Sequence, residues 1–177
     1  MKKPNIFLHC GNGARAALII FFIGTFPNIS FGQSTGVGAG VIVGEPTGIS
    51  AKFWTSDVNA FDIAIGWSST GEWQRIDNGL YYNSGPSFLN IHADYVWHDY
   101  GVIKSQERLP LYYGIGFHYD EGSGSPVAFG VRGVLGIDWM PRTVPLDVFL
   151  EMAPVLYLTP GAGFGIDAGI GTRFFFH

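Results

Sequence analysis

The stretch from Phe164 to His177, FGIDAGIGTRFFFH, alternates two kinds of side chain over its whole length. Read with a period of two, one face is apolar and carries Ile166, Ala168, Ile170, Thr172, Phe174 and Phe176. The other face is small or charged and carries Asp167, Gly169, Gly171, Arg173 and Phe175. Successive side chains of a β-strand point to opposite faces, so this alternation predicts a strand. A soluble sheet would present many Lys, Glu, Ser and Thr on its polar face, and this stretch does not.

The composition of the chain is unusual for a protein surrounded by water. Its 177 residues suit one domain with a sizeable core. Aromatic residues make up 16 % of the chain and charged residues only 14 %, against about 25 % charged residues in ordinary soluble domains. Glycine is abundant, with 26 residues. These totals predict a chain that contacts an environment other than water.

The first 32 residues have the pattern of a secretory signal peptide. Lys2, Lys3 and Arg15 precede an apolar run over residues 16–26, and Ser30 and Gly32 provide small residues at the cleavage positions. We expect cleavage after Gly32, which leaves a single mature domain over residues 33–177. A retained anchor helix is the alternative, although the apolar run is short for a bilayer span. The only cysteine, Cys10, would leave with the signal.

The mature chain would be acidic and without an apolar run long enough to be a membrane helix. It keeps seven basic and fourteen acidic residues, a formal net charge of −7. A nucleic-acid partner is therefore not expected, because phosphate binding needs a basic surface. No apolar run in it reaches the roughly 18 residues of a spanning helix, so contact with a membrane would require strands.

Alternating segments recur along the rest of the chain. Eight of them are predicted to be strands: 36–43, 47–55, 60–68, 87–98, 110–120, 128–140, 146–158 and 163–176. Each approaches the nine to eleven residues with which a tilted strand crosses a bilayer. The predicted fold class is all-β, an eight-stranded antiparallel up-and-down transmembrane β-barrel. If both ends lie in the periplasm, the longest outward loop is 69–85, and 98–109 is an unusually long inward turn.

The two faces of these segments differ in every strand. One face is apolar and free of charge, with Trp67, Tyr95, Trp97, Tyr119 and Trp139 near strand ends, as in a lipid-facing band with aromatic girdles. The other face alternates glycines with isolated charges, as in a narrow barrel interior. Because buried charges are costly unless paired, a lumenal salt-bridge network is expected, with Arg132 facing Glu151. Its predicted members are Lys52, Asp62, Asp94, Arg132, Glu151, Asp167 and Arg173.

Seven motifs along the mature chain resemble one protein family. They are GEPTGISAKFW (44–54), NAFDIAIGWS (59–68), LNIHADYVWHDY (89–100), PLYYGIGFH (110–118), FGVRGVLGIDWM (129–140), PLDVFLEMAPVLYLTP (145–160) and GIDAGIGTRFFF (165–176). Together they resemble small bacterial outer-membrane proteins with an OmpA-like eight-stranded β-barrel. The resemblance implies location in the bacterial outer membrane and insertion by the barrel assembly machinery, and it supplies no catalytic residues. His177 departs from the family pattern, in which the chain ends on the aromatic residue.

Three other interpretations compete with the membrane barrel. A secreted or periplasmic lipocalin-like barrel would carry an apolar ligand, but it would place polar residues outside. A lipid A-modifying enzyme could combine His92, His98 or His118 with Asp94, Asp99 or Asp120, yet no serine is spaced to join them. His118 and Asp120 could also bind a metal at a strand end, where two solvated side chains are the simpler interpretation. The glycine-rich runs precede no helix and do not predict a nucleotide site.

The functional expectation is a structural or surface-interaction protein of the cell envelope, monomeric, without enzymatic activity, cofactor or metal. Its partners would be the outer-membrane lipid, the barrel assembly machinery and an external protein. Loops carry most functional variety on a barrel scaffold. The loop 69–85 is therefore the predicted contact region, through Glu72, Trp73, Arg75, Tyr81 and Tyr82.

Overall fold

The computed structural model describes residues 35–69, 73–75, 81–83, 87–122 and 126–176. The predicted signal peptide, Glu72 and His177 lie outside the described residues. The described residues form ten strands: β1 Val37–Gly44, β2 Thr47–Trp54, β3 Asn59–Ser68, β4 Trp73–Arg75, β5 Tyr81–Asn83, β6 Ser87–Asp99, β7 Leu111–Gly122, β8 Ala128–Trp139, β9 Leu146–Thr159 and β10 Gly163–Phe176.

Eight of these strands form a closed antiparallel barrel. The strands follow one another around the sheet in the order β1-β2-β3-β6-β7-β8-β9-β10. The sheet closes because β1 pairs with β10 over its whole length, from Val37 opposite Phe176 to Gly44 opposite Gly169. The prediction of an all-β, eight-stranded antiparallel barrel is confirmed, and the predicted strand bounds lie within two residues of those observed.

In the part of the chain that the structure describes, no helix is long and apolar enough to cross a membrane.

Strands β4 and β5 form a short hairpin that the sequence did not predict. It lies within the segment expected to be an irregular loop, and its two strands pair from Trp73 opposite Asn83 to Arg75 opposite Tyr81. Gln74 pairs with Gly163 at the start of β10. The hairpin therefore extends the sheet beyond one end of the barrel. We call this end the hairpin end, and the opposite end, where β1 begins and β10 ends, the terminal end.

The tight connection between β1 and β2 depends on Gly44. Its φ of 138° lies in a region that side chains disfavour, and a Cβ there would overlap the carbonyl of Ala168 on β10. The Thr47 hydroxyl closes the turn by accepting from the Gly44 N–H at 3.1 Å and donating to the Gly44 carbonyl at 3.0 Å. This turn fixes the register of the first two strands.

Burial alternates along the barrel strands as period two requires. Side chains of the outer face are exposed, with Ile49 at 68 % and Phe164 at 59 %, while the inner-face side chains between them are buried. Large inner side chains face glycines: Tyr112 occupies the space beside Gly136, and Phe149 the space beside Gly171. The core therefore lies inside the barrel, where rings from one strand fit against glycines of the next.

The long turn at the terminal end, residues 100–110, is an ordered extension of the sheet. Its last residues run alongside the end of β8: the Pro110 carbonyl accepts from the Asp138 N–H at 3.0 Å, and the Arg108 carbonyl from the Met140 N–H at 2.9 Å. The Glu107 carboxylate accepts from the Arg142 N–H at 3.2 Å. These contacts explain how a turn of this length is accommodated at this end.

Closure between β1 and β10 predicts a specific cross-link. Val41 lies opposite Thr172 across this seam, and directly opposed residues of antiparallel strands have Cβ atoms about 4.5–5.5 Å apart. A Val41→Cys, Thr172→Cys protein is expected to form an intramolecular disulfide, seen as a reductant-sensitive mobility change on a denaturing gel. The control pair Val41→Cys, Ile166→Cys uses another outer-face position of β10 and should stay reduced. Cross-linking of the control pair alone would refute the register.

Candidate functional site in the barrel interior

The inner face of the barrel carries almost all of the strand charges. The seven predicted network residues all lie inside, each at most 5 % exposed: Lys52, Asp62, Asp94, Arg132, Glu151, Asp167 and Arg173. Six further His or Asp side chains share this interior: His92, His98, His118, Asp120, Asp138 and Asp147. Every barrel strand except β1 contributes one or more of these side chains. They form two clusters along the barrel axis.

Lys52 is the centre of the cluster near the terminal end. Its Nζ lies 2.5 Å from Asp138 Oδ2, 3.6 Å from Asp62 Oδ2 and 3.5 Å from Asp147 Oδ2. The same nitrogen is 3.0 Å from His98 Nε2, which in turn is 3.0 Å from Asp138 Oδ2. Lys52 thus contacts three carboxylates contributed by three different strands.

Arg173 completes this first cluster. Its Nη2 lies 3.3 Å from Asp62 Oδ2 and its Nη1 lies 3.2 Å from Asp147 Oδ2. Lys52 contacts the same two carboxylates, at its two longer distances. Its Nε donates to the Ser50 hydroxyl at 2.9 Å. The guanidinium carbon lies 3.8 Å from the centre of the Phe149 ring. Stacking of a desolvated guanidinium on an aromatic face adds a cation–π contribution.

Arg132 is the centre of the second cluster, nearer the hairpin end. Its three nitrogens reach three carboxylates: Nε is 3.2 Å from Asp94 Oδ1, Nη2 3.1 Å from Glu151 Oε1 and Nη1 3.1 Å from Asp167 Oδ2. Nη1 also lies 2.6 Å from His92 Nδ1. Because a guanidinium only donates, this ring nitrogen acts as the acceptor.

Tyrosine and histidine side chains extend the second cluster in both directions. The Tyr112 hydroxyl donates to Glu151 Oε2 at 2.8 Å. Since Tyr112 also packs against His98 with ring centroids 5.4 Å apart, it joins the two clusters. Towards the hairpin end, His118 lies between Asp167 Oδ2 at 3.2 Å and the Tyr157 hydroxyl at 3.2 Å.

The interior holds more acidic than basic groups. Among the described residues, seven buried carboxylates face only three Lys or Arg side chains: Asp62, Asp94, Asp120, Asp138, Asp147, Glu151 and Asp167 against Lys52, Arg132 and Arg173. Burying uncompensated charge is costly. The excess negative charge of the interior must therefore be neutralised by protons on the carboxylates or the histidines. Near-zero exposure of these side chains means that they obstruct the interior and leave no wide aqueous path between them.

Most of the residues named in the enzymatic and metal-site hypotheses lie in the barrel interior. His118 and Asp120 were expected to be solvated at a strand end, and this is wrong: they are 0 % and 4 % exposed, because β7 continues to Gly122. His92, His98 and Asp94 are also interior, while Asp99 is exposed. Among the described residues, no group of three or more His, Cys, Asp or Glu side chains is placed so that it could hold a metal ion.

The predicted loop contacts fall on the unpredicted hairpin. Trp73 and Arg75 lie on β4, and Tyr81 and Tyr82 on β5, beside the mouth of the barrel at the hairpin end. This brings four of the five proposed contact residues onto one small sheet.

Comparison with protein-family models, with curated proteins and with solved structures finds no match for this chain. What the fold and the interior define is a class of architecture: a closed eight-stranded antiparallel barrel whose interior is filled by ion pairs.

Removal of Arg132 is expected to destabilise the barrel severely. An Arg132→Met variant leaves three buried carboxylates without their shared cation, and breaking a buried pair in this way typically costs about 3–5 kcal/mol. Urea unfolding followed by tryptophan fluorescence should show that loss. The matched control is Arg142→Met, which removes an exposed arginine and should change stability by less than about 0.5 kcal/mol. Equal stability of the two variants would contradict the role of Arg132.

Proposed function

We propose that this chain is a bacterial outer-membrane protein with an OmpA-like barrel, and that it has a structural or surface-interaction role rather than a catalytic one. The observation that carries the proposal is the distribution of charge between the two faces of the barrel. The interior is charged and the outer face of the eight barrel strands is apolar.

The outer face has the character of a surface in contact with lipid. Large apolar side chains are exposed on every barrel strand, and seven of the eight strands expose aliphatic ones, including Val41, Ile65, Ile115, Leu135 and Ile170. Soluble monomers rarely expose contiguous apolar patches larger than a few hundred Å². A belt of this kind around a whole barrel is what a hydrocarbon environment requires.

Aromatic side chains at both ends of the outer face support the same proposal. Towards the terminal end, Trp97 lies between Tyr95, with ring centroids 4.9 Å apart, and Tyr113, at 6.1 Å. Towards the hairpin end, Phe117 stacks on Phe129 at 6.1 Å. Aromatic girdles at the two membrane interfaces are typical of transmembrane barrels. Their placement towards opposite ends of the outer face favours a barrel that crosses the bilayer along its axis.

The interior favours a plug over a pore or a carrier. An open diffusion pore needs more strands than eight, and here two ion-pair clusters obstruct the axis. A carrier of an apolar ligand needs an apolar cavity, whereas the largest inner side chains include Arg132, Arg173 and Lys52. We therefore infer a monomer without cofactor, inserted by the barrel assembly machinery after removal of residues 1–32. An external protein would contact the β4–β5 hairpin.

Fractionation combined with gel mobility tests the proposal. The full chain expressed in a Gram-negative host should be recovered in the outer-membrane fraction. It should migrate differently on a gel before and after boiling, because a closed barrel stays folded in the detergent until it is heated. Recovery in the soluble periplasmic fraction without a heat-dependent shift would favour the soluble carrier. An outer-membrane barrel whose deletion changes the modification of lipid A would favour the enzyme.

A further inference from the structure

The cations of the described residues are distributed unevenly. Lys52, Arg132 and Arg173 are buried in the interior. Apart from Arg75 on β4, the remaining ones are Lys104, Arg108 and Arg142, which lie in two adjoining turns at the terminal end. We call these three residues the basic rim. None of them forms an ion pair with a carboxylate among the described residues. Three unpaired cations at one end of an acidic chain require an explanation.

The basic rim is held in place by the sheet. Backbone N–H groups at and just after the end of β8 donate to the carbonyls of Pro110 and Arg108, and the Arg142 N–H donates to the Glu107 carboxylate. These hydrogen bonds fix the turn 100–110 against residues 138–142. On the other side, the Val58 carbonyl accepts from the His98 N–H at 2.7 Å, which ties the turn 55–58 to β6. The space enclosed by these turns is therefore a preformed feature of the barrel end.

A cavity of about 900 Å³ opens within these turns, near the upper end of the range for ligand pockets. Its lining combines all three basic-rim residues with apolar side chains, Val58, Ile103 and Leu109. Asp57 and Glu107 also line it, and Glu107 is already engaged by the Arg142 N–H. The cavity is thus open, amphipathic and has more basic than acidic groups.

Tyr100 supplies a neutral hydrogen-bond donor on the wall of this cavity. Partial burial, together with the smaller effect of the negative charge of Asp138, raises the pKa of its phenol to about 12. The phenol therefore keeps its proton at physiological pH, and it can donate to an anion beside the basic rim.

The surroundings of the cavity resemble a membrane interface. Val102 and Val144, in the same two turns as the basic rim, are 56 % and 46 % exposed. The outer-face aromatics Trp97 and Trp139 lie at the same end of the barrel. Exposed valines and tryptophans beside cations are expected where hydrocarbon gives way to headgroups.

We propose that the basic rim and its cavity bind the phosphate headgroup of an anionic phospholipid in the leaflet at the terminal end. The cations would neutralise the phosphate, Tyr100 would donate to it, and Val58, Ile103 and Leu109 would contact the glycerol and the first methylenes of the acyl chains. This inference rests on the proposed function, because it needs a barrel embedded in a bilayer. An acidic soluble protein would satisfy the cations but would not require the exposed valines.

The selectivity of the protein between an anionic and a zwitterionic phospholipid tests the headgroup site directly. The full-chain protein, purified in detergent and reconstituted into phosphatidylcholine vesicles, is titrated with phosphatidylglycerol carrying brominated chains, and tryptophan quenching gives the relative binding constant of the two lipids. The wild type should prefer phosphatidylglycerol. A Lys104→Gln, Arg108→Gln, Arg142→Gln variant should lose about fivefold or more of that preference, since one cation near an anionic surface contributes on the order of 1 kcal/mol.

Three controls make each outcome decisive. Arg75→Gln removes a cation at the opposite end and should keep the wild-type preference. The Arg108→Lys, Arg142→Lys variant retains the positive charges and should keep most of the preference for phosphatidylglycerol. Millimolar glycerol phosphate should not abolish the preference, and if it does, the site binds a soluble phosphate and the lipid proposal is wrong.

The state of the barrel separates this inference from the proposed function. If the wild type reconstitutes with a heat-dependent mobility shift but shows no preference between the lipids, the headgroup site alone is refuted. If no heat-modifiable barrel forms in vesicles, the proposed function fails and the inference fails with it. Should the triple variant not fold, Lys104→Gln alone, at an exposed position, must still lower the preference for phosphatidylglycerol, or the proposal is overturned.

Discussion

The pairing of buried charge inside the barrel is the constraint on which the rest of the structure depends. Three cations, Lys52, Arg132 and Arg173, each contact two or more carboxylates from other strands. A charge this deeply buried is costly unless its partners are placed within a few ångströms. The clusters therefore oblige the strands to keep one register, and a slip by one residue would turn every charge outward.

The glycines of the inner face follow from the same constraint. An eight-stranded barrel has an interior only just wide enough for side chains, so Tyr112 and Phe149 can point inward only where Gly136 and Gly171 leave room. These rings in turn support the charged groups: Tyr112 donates to Glu151, and Phe149 lies against Arg173. Small, aromatic and charged positions on the inner face thus form one packed unit.

Much of this arrangement could be predicted from the sequence, because a strand has a period of two and each segment is long enough to show it. The eight barrel strands and the inward face of the seven predicted network charges followed from that period. The ion-pair partners of these charges could not be predicted from the period. Lys52 on β2 contacts Asp138 on β8, and only the tilt and curvature of the closed sheet bring these two side chains together. The pairing of Arg132 with Glu151 could be predicted because these two residues lie on neighbouring strands.

Other features gave no usable signal. The β4–β5 hairpin has three residues in each strand, too few for an alternation to be recognised. The burial of His118 was missed because β7 was expected to end at Asp120, whereas pairing with β6 carries it on to Gly122. The terminal-end cavity arises from a turn that pairs with β8 outside the regular strands, and turns of this kind have no period.

The central claim is that the apolar face of the barrel meets lipid while the opposite face is sealed inside. Spin labels placed one at a time on β9 of the reconstituted protein test it most directly, through accessibility to oxygen and to a water-soluble nickel complex. At Leu150, Met152 and Leu156 the account predicts high accessibility to oxygen and low accessibility to nickel, and at Ala153 and Val155 low accessibility to both. High nickel accessibility at the first three positions would mean that this face lies in water, and would contradict the account.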